Sequence, residues 1–237
     1  MIAAIGVVVP AHDEELVIGD CLRALKAAVG TDREAVVCVV ADRCTDGTVR
    51  IVRETMPGAT VVEVREAATL GELRDLGART VLDLLAGHDP EEIWLLGTDA
   101  DTQVAPDWVR RQLAHADAGA DAVTGLVDLQ PATHLTDVLR ARYARVVADG
   151  IRPLSHDHVH GANFGVRGSA FLAVGGYRPI ATGEDRDLWF RLLEAGFRGV
   201  QPLDLTVRTS ARVVGRARGG LADLLADLIA PGYRDVS

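Results

Sequence analysis

Two acidic residues with a spacing suited to a divalent cation stand at Asp99 and Asp101, with one alanine between them. Two carboxylates at this spacing in a loop can hold Mg²⁺ or Mn²⁺, and the ion can bind both phosphates of a diphosphate. Acidic pairs also occur by chance, so the pair alone is weak evidence. Its position strengthens it, because Asp99 follows the apolar run 93–97, which is typical of a buried strand.

Two further polar clusters follow apolar runs, at 12–15 (His-Asp-Glu-Glu) and at 42–48 (Asp-Arg-Cys-Thr-Asp-Gly-Thr). In the second, Asp46, Gly47 and Thr48 suit a tight turn and a helix cap. Asp42 lies directly at the predicted strand end and is the better candidate for contact with a ligand. Neither a dinucleotide-binding glycine motif nor a phosphate-binding P-loop is present, so a bound nucleotide would depend on acids and a metal.

A third region combines glycines with acids, over 161–167, 175–177 and 183–185. Glycine permits a close approach of the backbone to a ligand. Glu184 and Asp185 have two interpretations, as acids at a helix N-terminus or as suppliers of a general base. Spacing leaves both open.

The elements that must position these residues follow from apolar periodicity. Strands are predicted at 2–9, 35–41, 60–64, 93–97, 121–126 and 161–167. Helices are predicted at 18–29, 73–85, after Pro106 in the first turn, 133–148, 187–194 and 221–229. This alternation predicts an α/β fold with a mostly parallel central sheet flanked by helices, in which ligands bind at the carboxyl ends of the strands.

Composition limits the function classes. The chain has 237 residues, a formal charge of −9 and a single lysine, Lys26, so nucleic acid and anionic lipid are disfavoured as bulk partners. Its length and the lack of a linker predict one domain. Three cysteines without metal-type spacing, no signal peptide and no apolar run of membrane-spanning length predict a cytoplasmic protein. Peripheral contact with the inner membrane face stays open.

The clusters together resemble a family 2 glycosyltransferase of the GT-A fold. The motifs appear in family order over about residues 5 to 200, and the ordered set is more specific than any one of them. They are Val-Val-Val-Pro-Ala-His-Asp-Glu-Glu (7–15), Val-Val-Ala-Asp-Arg-Cys-Thr-Asp-Gly-Thr (39–48), Gly-Glu-Leu-Arg-Asp-Leu-Gly-Ala (71–78), Asp-Ala-Asp (99–101), Gly-Ala-Asn-Phe-Gly-Val-Arg (161–167) and Gly-Glu-Asp (183–185).

The resemblance implies a single Rossmann-like domain and a role for each matching residue. Residues 1–102 would form the nucleotide-binding half, 103–204 the acceptor and catalytic half, and 205–237 a tail that serves as a candidate lid. The donor-binding residues would be Pro10, Ala11, Glu14, Asp42, Arg74, Asp99 and Asn163. Asp101, with Asp99, would bind Mg²⁺ or Mn²⁺, while Asp185, beside Glu184, would be the catalytic base.

The implied activity is a metal-dependent, hexosyltransferase-like transfer from a nucleotide sugar, a UDP- or GDP-sugar, to an acceptor hydroxyl. The acceptor would be a small molecule or lipid-linked. One metal-binding acid pair and one separate base suffice for inverting transfer, which needs no covalent nucleophile. The chain departs from the family at His12-Asp13, where an aromatic-Asn pair is commoner, and at Asp75, where Asn is usual. The departure at His12-Asp13 leaves open which nucleobase the donor carries.

Several alternatives stay open at this point. A sugar-1-phosphate nucleotidyltransferase, a non-catalytic nucleotide-sugar-binding protein and a retaining transferase share parts of the pattern. His156, His158 and His160 alternate, so on an extended segment they could bind a metal or an acceptor, or form a solvated loop. Tail arginines could close over the diphosphate or form surface ion pairs; they are Arg208, Arg212, Arg216 and Arg218.

Overall fold

A computed structural model describes residues 1–132, 135–213, 215 and 220–230 of the chain. Its main sheet has seven strands in the order β3-β2-β1-β4-β8-β6-β9. These are β1 (Ala4–Ala11), β2 (Glu34–Asp42), β3 (Thr60–Val64), β4 (Ile93–Gly97), β6 (Ala122–Thr124), β8 (Phe164–Arg167) and β9 (Gly199–Val200). Strands β3, β2, β1 and β4 are parallel, so their carboxyl ends meet at one edge. Strand β8 runs antiparallel to both β4 and β6.

A second, three-stranded sheet lies beside that edge, in the order β5-β10-β7. Its strands are β5 (Thr102–Gln103), β7 (Leu126–Leu129) and β10 (Thr206–Thr209). Strand β10 pairs with β5 antiparallel, with Thr209 opposite Thr102. This pairing brings the segment after residue 205 against the loop that carries Asp99 and Asp101.

Six of the described helices cover the main sheet, and two, Asp137–Asp149 and Leu221–Ile229, pack with each other and with the second sheet. The described helices are α1 (Ile18–Val29), α2 (Thr48–Thr55), α3 (Leu70–Leu84), α4 (Trp108–Asp117), α5 (Asp137–Asp149), α6 (Gly168–Ala173), α7 (Glu184–Glu194) and α8 (Leu221–Ile229). Alternate residues of β1 enter two different apolar cores: Val7 and Val9 pack with α1, and Val8 packs with α3. Burial on both faces explains why β1 reads as an unbroken apolar run.

The structure changes several predicted boundaries. The strand predicted at 121–126 is split by Gly125 into β6 and β7, which belong to different sheets. The strand predicted at 161–167 begins with a 3₁₀ turn, Gly161–Asn163. Helix α7 begins three residues earlier than predicted, directly after Gly183, whose φ of 81° ends the preceding loop. Pro106 precedes α4 and its N-cap Asp107 rather than lying in the first turn.

Candidate active site

A cavity of about 610 Å³ opens between the carboxyl ends of the central strands, the small sheet and α8. Its lining combines charged groups with an apolar wall. The charged or titratable lining residues are Arg74, Asp99, Asp101, His160, Glu184, Asp185, Arg186 and Arg212. The fold therefore brings five of the predicted site residues to one cavity, from segments far apart in sequence.

Arg74 lies at the floor of this cavity and joins two of its acids. A capping box places it: Thr69 Oγ1 accepts from Glu72 N at 3.2 Å, and Glu72 Oε2 accepts from Thr69 N at 2.7 Å, so α3 begins at Leu70. The Arg74 guanidinium donates from Nε to Glu184 Oε1 at 3.0 Å and from Nη2 to Asp99 Oδ1 at 2.6 Å. The third guanidinium nitrogen, Nη1, is buried and has no hydrogen-bond partner among the described residues.

Electrostatics hold Arg74 in its charged form. The side chain is 3% exposed, and burial disfavours its charge, but Asp99 and Glu184 outweigh burial and raise the pKa of Arg74. Burial also raises the pKa of Glu184, and Arg74 opposes that rise. Glu184 is thus the buried partner that orients Arg74.

Replacing Arg74 with methionine is expected to destabilise the fold by about 3–5 kcal/mol, because the change leaves Glu184 buried without its cation. Arg79→Met is the matched control on the same helix, since Arg79 forms an exposed pair with Asp75 at 2.6 Å. That control should cost less than about 1 kcal/mol. Urea unfolding measures both values. Equal losses in the two variants would contradict the assigned role of Arg74.

Asp185 is in the first turn of α7 and lines the cavity. Its Oδ2 accepts from Gly161 N at 2.6 Å, and its Oδ1 accepts from Arg186 N at 2.7 Å. Burial raises the pKa of Asp185, while Arg74 and these two N–H groups oppose the rise. Asp185 is therefore a carboxylate of fixed orientation with an elevated pKa, as a general base requires.

Gly161 has no room for a side chain. A Cβ there would lie 2.7 Å from Arg74 Nη2 and 2.9 Å from Cζ of the same guanidinium, which two ion pairs hold in place. The same residue supplies the N–H that orients Asp185. This close approach explains the glycine at the start of the 161–167 motif.

Gly161→Ala is expected to destabilise the fold by about 1–3 kcal/mol, because it displaces Arg74 and the Asp185 anchor together. Gly87→Ala is the control, since no described atom beyond its chain neighbours lies within 4 Å of a Cβ built there. Thermal unfolding of the two variants measures the difference. Wild-type stability in Gly161→Ala would show that the close approach of Gly161 to Arg74 carries no constraint.

Asp101 is held from the second sheet and from the segment after it. Thr209 Oγ1 donates to Asp101 Oδ1 at 3.2 Å, and Arg212 Nη2 lies 3.2 Å from Asp101 Oδ2. Arg212 Nη1 also donates to Glu14 Oε1 at 2.8 Å. Burial raises the pKa of Asp101 to about 6, although Arg212 opposes that effect. Asp101 is a buried carboxylate that depends on a nearby cation.

The chemistry of this corner fits a divalent cation. Asp99 and Asp101 offer hard oxygen ligands on one cavity wall, and Arg212 already supplies positive charge to Asp101. Among the described residues, three metal-compatible atoms converge only at Asp13, Cys44 and Asp46. There Asp13 Oδ1 accepts from Thr45 N at 2.7 Å and Asp46 Oδ1 from Thr48 N at 2.9 Å, so these acids stabilise the turn before α2.

The residues predicted to bind the nucleoside lie at the ends of β1 and β2, outside the cavity lining. Pro10 and Ala11 end β1, and Asp42 ends β2. Arg43 donates to both carboxylate oxygens of Asp42, from Nε to Oδ1 at 2.8 Å and from Nη2 to Oδ2 at 2.9 Å. His12 Nδ1 lies 2.5 Å from Asp42 O. A nucleoside contact through Asp42 would require Arg43 to turn away.

The side chain of Asn163 is not available to a ligand, which corrects its predicted donor contact. It is fully buried, accepts from Trp108 Nε1 at 2.9 Å, and donates to Leu126 O and Leu205 O at 2.9 and 3.1 Å. Asn163 thereby ties α4 to the strands of the second sheet.

The three alternating histidines form a row in which the rings of His158 and His160 stack and that of His156 is tilted against His158. The rings of His156 and His158 lie 5.8 Å apart and those of His158 and His160 lie 5.7 Å apart. His156 Nδ1 accepts from His158 N at 3.1 Å, and His158 Nε2 lies 2.8 Å from Val147 O. Burial, with the two neighbouring histidines, lowers the pKa of His160 to about 4. His160, which reaches the cavity, is thus neutral at pH 7.

A match to a known protein family shows to which family the chain belongs. The model of glycosyl transferase family 2 matches residues 6–174, more than half of the chain. The chain belongs to glycosyl transferase family 2. No curated protein sequence matches it significantly.

Solved structures place the family 2 chain in the GT-A fold. The mannosyltransferase PcManGT from Pyrobaculum calidifontis, in complex with GDP-Man and Mn²⁺, superposes with a TM-score of 0.65 at 21% identity over 91% of this chain and 59% of that one. S. aureus TarS 1–349, in complex with UDP-GlcNAc, gives 0.66 at 15% identity over 90% and 60%. The family 2 chain thus spans about three fifths of these two proteins.

Sequence reasoning missed two contacts of this family 2 site. Glu14 and Arg212 are 198 residues apart, and Thr209 and Asp101 are 108 residues apart. No local pattern could reveal either, because the β5–β10 pairing creates both.

Arg216 and Arg218, two of the tail arginines considered for a lid, lie outside the described residues. No described helix has the length and apolarity to cross a membrane.

Proposed function

We propose that this chain transfers a sugar from a nucleoside diphosphate sugar, a UDP- or GDP-sugar, to an acceptor hydroxyl with inversion. The observation that carries the proposal is one cavity that holds two separate sets of acids. Asp99 and Asp101 form a metal-type pair, and Asp185, fixed by Gly161 N, is a distinct carboxylate for proton removal.

In the proposed reaction, Asp185 accepts the proton of the acceptor hydroxyl as its oxygen attacks the anomeric carbon. A new C–O bond forms there while the bond from that carbon to the phosphate oxygen breaks, and the electron pair leaves with the nucleoside diphosphate. The two events occur on opposite faces of the sugar, so the anomeric configuration inverts.

The other residues position these groups. Arg74 holds Asp99 and Glu184 in place, and Glu184 directly precedes the base. Asp99 and Asp101 would hold Mg²⁺ or Mn²⁺, which neutralises charge on the leaving diphosphate. Arg212, which lines the cavity, supplies a further positive charge.

Two properties of the relatives support the proposal without deciding the donor. PcManGT is in complex with GDP-Man and Mn²⁺, and TarS is in complex with UDP-GlcNAc. The preference of this chain for one nucleobase depends on His12, Asp42 and Arg43. His12 and Arg43 both contact Asp42 at the ends of β1 and β2, where the nucleoside would bind. The acceptor, a small molecule or a lipid-linked one, enters from the Asp185 side.

A thermal-shift screen with UDP- and GDP-sugars, with and without Mn²⁺, tests donor binding, since a ligand of the native state raises the melting temperature. Slow, metal-dependent release of nucleoside diphosphate in the same mixtures tests turnover. We expect one donor to give both signals. Binding without release under any condition would favour a non-catalytic nucleotide-sugar-binding protein, and the absence of both signals would refute the proposed donor class.

A further inference from the structure

Arg212 joins the two ends of the proposed donor site. Its Nη1 donates to Glu14 at 2.8 and 3.1 Å, and its Nη2 lies 3.2 Å from Asp101 Oδ2. Both carboxylate side chains are only 7% exposed, whereas that of Arg212 is 34% exposed. Two poorly solvated anions therefore share one cation, and that cation has access to the cavity.

Both oxygens of Asp101 already have a partner. Thr209 Oγ1 donates to Oδ1, and the Arg212 guanidinium lies against Oδ2. A divalent cation bound to Asp101 would stand within a few ångströms of this guanidinium, and like charges at that range repel strongly where water is scarce. Occupation of Asp101 by a metal therefore requires Arg212 to leave it.

The displaced Arg212 needs a new anion. It follows β10 and lines the same cavity as Asp99 and Asp101, so its side chain can remain at the site. The diphosphate of a nucleotide sugar brings negative charge to that cavity and suits the fork geometry of a guanidinium.

We propose that Arg212 occupies the cation position of Asp101 in the ligand-free protein and exchanges this carboxylate for the donor's diphosphate when the metal binds. The inference rests on the proposed function, because it takes Asp101 as a metal ligand. Its consequence is thermodynamic: metal and nucleoside diphosphate each bind weakly alone and strengthen one another's binding equally.

The test measures Mn²⁺ affinity by electron paramagnetic resonance, without and with UDP or GDP, and needs no turnover. Arg212→Ala is expected to bind Mn²⁺ alone at least tenfold more tightly than wild type, since its competitor is gone. The same variant should bind nucleoside diphosphate in the presence of Mn²⁺ at least tenfold more weakly. Arg212→Gln, which keeps a polar side chain but removes the charge, should change both affinities in the same directions.

Arg110→Ala is the matched control, because Arg110 is an exposed arginine paired with Asp107 at 3.1 Å and does not line the cavity. It makes the same change in net charge and should leave both affinities unchanged. If the Arg212 variants bind Mn²⁺ alone no more tightly than wild type, the exchange is overturned while the metal site stands. If no protein binds Mn²⁺ even with nucleotide, the metal-dependent function itself fails.

Discussion

Asp185→Asn is expected to reduce turnover by about 10²- to 10⁴-fold, the usual contribution of a general base. The amide oxygen of asparagine can still accept from Gly161 N, so the local fold should survive, but the amide cannot accept the proton of the acceptor. Affinities for Mn²⁺ and nucleotide should change little, since neither contact involves Asp185. Metal-dependent release of nucleoside diphosphate measures the loss, with water in the acceptor position.

Glu194→Gln is the control for this substitution, because Glu194 is an exposed acid at the end of the same helix. It should retain wild-type turnover. Turnover near that of wild type in a folded Asp185→Asn protein would show that another group removes the proton.

The dependence of activity on pH tests the assignment of Asp185 as the general base independently of the Asp185→Asn substitution. A base must be ionised to act, and burial raises the pKa of Asp185 above its ordinary range. Activity should therefore fall as the pH drops through this raised value, at a higher pH than an exposed aspartate with a pKa of about 3.9 would give. The residual activity of Asp185→Asn should lack that acidic limb.

Asp101→Asn is expected to weaken Mn²⁺ binding roughly 100-fold or more and to lower turnover at least as far, because an amide oxygen carries no net charge to hold the ion. Electron paramagnetic resonance measures the affinity and nucleoside diphosphate release the turnover. Asp83→Asn serves as the control, since Asp83 is an exposed acid on α3 outside the cavity. Unchanged Mn²⁺ affinity in Asp101→Asn would remove Asp101 from the metal site.

Loss of function in Asp101→Asn should not come with loss of stability. Burial raises the pKa of Asp101 to about 6 in the folded protein. A raised folded-state pKa adds stability while the group is protonated, and this benefit disappears as the pH rises through about 6. At pH 7 the ionised Asp101 no longer stabilises the metal-free fold, so the neutral amide should melt at the same temperature or higher.

Much of the fold could be predicted from the sequence, because several strands and helices are determined by residues within the segment itself. The strands at 60–64 and 93–97 and the helices at 18–29 and 221–229 have the bounds that periodicity predicts. Their apolar pattern and their turn residues agree with each other, so local preference and tertiary packing favour the same element. The pattern fails at 121–126, where Gly125 directs one apolar run into two sheets.

The candidate site divides in a similar way. Residue types and their order along the chain identified Asp101, Asp185 and Arg74, which the fold brings to one cavity. The same motifs also included Asn163, whose side chain the fold buries completely. A motif records which residues occur together, and burial depends on the segments that pack over them.

Sequence by itself determined the α/β architecture, the family and the set of acids at the strand ends. Only the tertiary structure decided which cation each acid meets: Arg74 lies between Asp99 and Glu184, and Arg212 between Glu14 and Asp101. Helix α3 supplies the first cation and the segment after β10 the second, across long separations in sequence. Since charge interactions depend on distance and burial, which no local pattern contains, these pairings and the site's electrostatics emerge only in the folded chain.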